Sequence, residues 1–128
     1  MKRRTTGVAL AVLLGLTSCA SSSELPELDE PADGADRLPS SVSEQLVDLG
    51  SARLVSEQDD VSIWLAFAAS LDRGVCIVVA EAGTEVATAC GRLPVELDGT
   101  DLGSFSIGEP RDSDQWQQIS ESVWQRLD

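Results

Sequence analysis

The sequence runs to 128 residues with nine Lys or Arg against 22 Asp or Glu, a formal charge of −13, and it contains no histidine and no tyrosine. So acidic a chain is not built to hold nucleic acid, whose phosphates demand a basic surface. Without histidine there is no Ser-His or Cys-His nucleophile pair and no imidazole metal ligand.

Lys2, Arg3 and Arg4 open the chain, residues 7–16 (GVALAVLLGL) form an apolar run, and Leu16-Thr17-Ser18-Cys19 follows at once. A basic head, a short apolar stretch and a small-residue cleavage site make an export signal. The run is too short to span a bilayer, which takes about 20 apolar residues. The alternatives are an ordinary signal with a chance cysteine, or a short membrane anchor. Leu-Thr-Ser-Cys resembles the bacterial lipobox, in which a leucine stands three residues before the cysteine and small residues fill the gap. That resemblance implies diacylglycerol on the Cys19 sulfur, cleavage between Ser18 and Cys19, and anchorage to the outer face of a membrane. Burying each acyl methylene contributes about 0.8 kcal/mol, and two chains anchor stably where one is marginal.

This reading divides the chain into a signal over 1–18, a lipidated Cys19 with its tether over 19–39, and one small extracytoplasmic domain over 40–128. Loss of Lys2, Arg3 and Arg4 with the signal leaves 110 residues with six Arg, no Lys and all 22 acids, a formal charge of −16. Such a surface repels anionic lipid headgroups, so the membrane contact expected is the lipid on Cys19 and not the domain itself. The charge reads as solubility rather than as a specific cationic partner.

Residues 20–39 (ASSSELPELDEPADGADRLP) are rich in Ser, Pro, Ala and acids. Such a segment buries too little to offset its ordering entropy and is expected to be a disordered tether. It would span about 25 Å on average and about 70 Å at most. Asp29, Glu30, Asp33 and Asp36 lack the ligand spacing of a calcium loop and read as solvated linker charge. Ser41-Val42-Ser43-Glu44 then matches a capping box. Val42, Leu46 and Leu49 recur at helical spacing before Gly50, which predicts a short helix over 42–49.

Strands are expected next. Residues 52–57 and 61–69 flank the polar break Gln58-Asp59-Asp60. Val61, Ile63, Leu65 and Phe67 alternate with Ser62, Trp64, Ala66 and Ala68. Residues 75–81 and 85–91 are joined by Ala82-Gly83-Thr84, a loop that fits a hairpin. A hairpin centred on Gly83 places Cys76 opposite Cys90. With Cys19 lipidated, these two remain in an oxidising compartment, where a disulfide is the simplest fate; a metal site is the alternative, and it lacks further ligands. At a non-hydrogen-bonded pair the Cα atoms would lie about 4.5 Å apart, within disulfide range, and the crosslink would contribute about 3 kcal/mol. With Cys76, Val78, Ala80 and Val86 on one face and Ile77, Val79, Ala87 and Ala89 on the other, the hairpin is expected to be central.

Residues 94–97 and 104–107 read as short strands around an Asp98-Gly99 turn. The C-terminus supports two readings. Trp116, Ile119, Val123, Trp124 and Leu127 make an amphipathic helical seam, whereas Ser120-Glu121-Ser122 fits a turn between paired strands. The fold class expected is α+β: a short N-terminal helix on an antiparallel meander of four or more strands, ending in a helix or paired strands.

Residues 50–91, with an SARLV strand, an aromatic-containing strand, Val75-Cys76-Ile77-Val78-Val79 and a closing Ala89-Cys90-Gly91, resemble a pattern of small lipoproteins of high-GC Gram-positive bacteria. In such proteins the Trp-x-x-Ile-Ser-x-x-Val-Trp stretch is similar to paired strands. The resemblance implies a fold and a location, and no catalytic residue.

Absence of Lys after cleavage excludes Ser-Lys dyads and Schiff bases. What survives is carboxylate chemistry, such as glycoside hydrolysis by Glu81 and Glu85 across the hairpin loop, against which stands an ordinary solvated turn. No catalytic residue, metal or cofactor is expected. Two functions are. One is a non-catalytic envelope module that docks another exported protein; the other binds a small ligand or cell-wall fragment through Trp64, Trp116 and Trp124. A row of exposed tryptophans around a concavity would favour the ligand, and an exposed apolar patch the protein partner.

Overall fold

From Arg53 onward the chain is built of short strands. The computed structural model describes residues 25–82 and 86–127, and the signal and Cys19 lie outside them. Strands β1 (Arg53–Gln58), β2 (Val61–Phe67), β3 (Val75–Glu81) and β4 (Val86–Gly91) form one antiparallel sheet in chain order. Strands β5 (Val95–Thr100), β6 (Gly103–Ile107), β7 (Trp116–Gln118) and β8 (Val123–Arg126) form a second, in the order β5-β6-β8-β7. Ile63, Leu65, Ile77 and Val79 of the first sheet share a core with Val95, Leu97, Phe105, Ile107 and Val123 of the second.

The first sheet is apolar on its other face too. There Trp64, Ala66, Cys76, Val78 and Ala80 lie under Val42, Val47 and Ala52 of the preceding segment. Strand β3 is therefore buried on both faces, as its unbroken apolar run requires. Strand β4 is the last in the order, so the 75–91 hairpin has one central strand and one edge strand, not two central ones. Its register follows the cysteines: Ala80 pairs with Val86 and Cys76 with Cys90.

The α+β expectation is overturned. Both sheets are four-stranded and antiparallel, and among the described residues the helical turns are single 3-10 turns. The helix over 42–49 does not form. Leu46 and Val47 both donate to the Ser43 carbonyl, but the next amide, Asp48, donates instead to the Phe67 carbonyl at 2.9 Å. Val47 is fully buried and bridges Ala68, while Leu46 is 52% and Leu49 42% exposed. The buried residues Val42, Val47 and Ala52 are five apart, a spacing no helix face presents. An eight-residue helix has little stability of its own, so the strand end of β2 captures the backbone.

The disordered tether is corrected from Leu25 onward. Leu25 and Leu28 are buried in the shared core. Arg53 donates to the Glu30 carbonyl at 2.7 Å, and the Leu54 amide donates to the Asp36 carboxylate at 2.7 Å, so this segment caps the outer edge of β1. Composition averaged over 20–39 hides two well-placed leucines and acids that serve as acceptors.

The C-terminus takes the strand alternative. Strands β7 and β8 pair Trp116 with Arg126 and Gln118 with Trp124 around the 120–122 turn. A helical seam would have buried Leu127, which is half exposed. The expected Asp98-Gly99 turn moves three residues on, to Asp101-Leu102. Thr100 pairs with Gly103, whose φ of 116° suits a glycine.

Candidate functional site

Each tryptophan singled out from the sequence sits in a different setting. Trp64, on β2 between Leu54 and Val78, faces the covering segment. Trp116 and Trp124 share the outer face of the second sheet, two positions apart in the β7–β8 ladder. Trp116 is buried. Its Nε1 donates to Asp112 Oδ1 at 3.1 Å, and the Arg126 guanidinium lies 5.8 Å from the ring centroid, within cation–π range. Trp124 is half-buried. The three do not come together as an exposed row around one concavity.

Other large apolar side chains are exposed, Leu127 at the C-terminal strand among them. Leu46 (52%), Leu49 (42%) and Phe67 (37%) are large hydrophobics open to solvent. Two contacts hold their backbones together: Asp48 N donates to Phe67 O, and Ala69 N donates to Leu46 O, each at 2.9 Å. A shallow depression of about 390 Å³ lies among Glu44, Val47, Asp48, Leu49, Ala68 and Ala69.

The disulfide lies against the backbone of the Leu46 loop. Cys76 and Cys90 are bonded, with Cα atoms 4.1 Å apart, the close spacing of a non-hydrogen-bonded pair. Cys76 is fully buried and Cys90 exposed. Their sulfurs lie 3.7 and 3.9 Å from the Leu46 carbonyl oxygen. The pair thus closes the hairpin and gives the Leu46 loop a rigid floor. Sequence reading missed the patch because a helix over 42–49 would have turned Leu46 and Leu49 inward.

The acids have structural work. Asp33 and Asp36 cap a 3-10 turn reciprocally. Glu27 accepts from Ser120 Oγ at 2.7 Å, Ser122 N at 3.0 Å and Ser122 Oγ at 2.7 Å. This clamp ties the N-terminal segment to the β7–β8 turn, and nothing local in the sequence signals it. Glu81 is exposed at the end of β3, and Glu85 lies outside the described residues. Among the described residues, no group of three or more His, Cys, Asp or Glu is placed to hold a metal ion. No helix of the described residues is long and apolar enough to cross a membrane. Comparison with protein-family models, with curated proteins and with solved structures found no match.

Proposed function

We propose that this chain is an exported, lipid-anchored envelope protein, non-catalytic, that docks another exported protein through Leu46, Leu49 and Phe67. The observation that carries the reading is three large apolar side chains left in water on two segments whose backbones are joined by two hydrogen bonds, with the disulfide sulfurs against the Leu46 carbonyl. Clustered exposed apolar residues rimmed by polar ones are characteristic of interaction sites. Glu44 and Asp48 line the depression beside Leu49, so the partner that fits presents an apolar projection flanked by Lys or Arg. The Leu16-Thr17-Ser18-Cys19 sequence supports the anchor. Cys19 lies six residues before Leu25, the first core residue among those described, so the lipid lies within about 20 Å of it.

Two substitutions test the reading in intact cells. Cys19→Ser is expected to move the protein from the membrane fraction to the soluble one; retention on the membrane refutes the anchor. A photoreactive residue at position 46 is expected to give one discrete adduct, lost when Phe67→Asp is added, while the same probe at Gln117 on the second sheet gives none. Equal adducts from both positions, or an adduct indifferent to Phe67→Asp, overturn the docking patch.

A further inference from the structure

On the outer face of the first sheet, the covering segment leaves a gap. A cleft of about 290 Å³ opens there, lined among others by Ser41, Ser62, Trp64, Ala80, Glu81 and Val86. Trp64 is 7% exposed, and its Nε1 is a buried donor with no hydrogen-bond partner. Trp116 has the same 7% exposure and gives its N–H to Asp112, so burial of an indole in this fold does not by itself leave the donor orphaned. An unpaired buried donor costs about 1–3 kcal/mol, and native proteins keep few of them.

We propose that the cleft binds a small uncharged amide, whose carbonyl oxygen accepts the Trp64 indole N–H while its alkyl part lies against Ala80 and Val86. The floor is apolar and the polar groups are few, the usual composition of a small-molecule site. At about 30 Å³ per atom the volume holds about ten heavy atoms. An anion is disfavoured by the Glu81 carboxylate on the lining and by the acidic chain as a whole. An ammonium group brings no acceptor for the N–H. The nitrogen itself is buried, so seating the acceptor takes a turn of the indole that brings its N–H into the cleft. The inference does not rest on the docking patch: Ser62 and Phe67 stand five residues apart on β2, about 17 Å.

The test follows the three indole N–H resonances of the 15N-labelled full chain carrying Cys19→Ser, titrated with N-acetyl-L-alanine N′-methylamide and, separately, with anionic N-acetyl-L-alanine. The neutral diamide is expected to shift the Trp64 indole resonance with millimolar saturation and leave those of Trp116 and Trp124 in place, and the anion to bind about tenfold more weakly. Trp64→Phe is expected to weaken binding of the diamide about two- to tenfold, the worth of one hydrogen bond. Ala82→Trp, at an exposed position on the rim, is expected to abolish it by filling the mouth; this variant keeps the test decisive if Trp64→Phe does not fold. No movement of the Trp64 resonance at tens of millimolar, equal movement of all three indoles, equal affinity for the anion, or unchanged binding by Ala82→Trp overturns the proposal.

Discussion

Trp64 and Trp116 are equally buried, one in each sheet, and differ in what surrounds them. Trp116 sits on a three-residue strand at the edge of the second sheet. Its partners come from polar side chains close by: Asp112, four residues earlier, and Arg126, directly across the ladder. Trp64 sits on an inner strand of the first sheet with Leu54 and Val78 across from it and a second apolar layer above. No acceptor reaches its N–H. The first sheet is held by apolar layers on both faces, and such layers offer a polar atom nothing. The second has its core on one face and holds its short outer strands by specific side-chain pairs, including the carboxylate of Glu27 from the far end of the chain.

This contrast can be broken in three places. The largest effect is expected from removing the disulfide: replacing Cys76 and Cys90 together by Ala should cost about 2–5 kcal/mol of unfolding free energy in a denaturant titration. A loss below about 1 kcal/mol would mean that the apolar layers alone hold the first sheet. Next comes Glu27→Ala, which strips acceptors from Ser120 and Ser122. Hydrogen bonds to a charged group suggest a loss of about 1.5–3 kcal/mol. Amide exchange should accelerate over 25–36 and 119–126 while β2 and β3 keep their protection, and uniform acceleration would show that the clamp is not local to the second sheet. The smallest effect sharpens the comparison itself. Trp64→Phe and Trp116→Phe remove the same ring and N–H. Trp116→Phe should be the more destabilising by about 1 kcal/mol, because it alone loses a formed hydrogen bond and weakens a cation–π contact that the smaller ring keeps in part. Equal losses would remove the distinction drawn here between a satisfied and an orphaned indole.

The strands were the legible part. Alternation marked β2, the unbroken apolar run marked β3, and two cysteines equidistant from Gly83 specified the hairpin register found. The polar break before Val61 proved to be a two-residue turn, with Asp59 and Asp60 both at positive φ, a conformation Asp tolerates better than most residues. The functional surfaces were far less legible. The apolar patch arises because Leu46 and Leu49 follow a helical spacing that the backbone does not adopt. The cleft arises from where the covering segment stops, which no local pattern encodes.

What the sequence by itself determined is therefore the set of strands from Arg53 to Gly91, the short strands begun at 95 and ended at 107, and the partnership of Cys76 with Cys90, because period-two burial and one covalent bond are local or symmetric signals. The tertiary structure decided the rest. It turned 42–49 away from a helix by capturing the Asp48 amide at Phe67, chose strands over a helix for 116–126, and folded 25–36 onto the core through Leu25, Leu28 and Glu27. Each of these segments is too short to hold any conformation alone. Their shapes were settled by which distant strand end, carboxylate or apolar face could satisfy their backbone and bury their few large side chains.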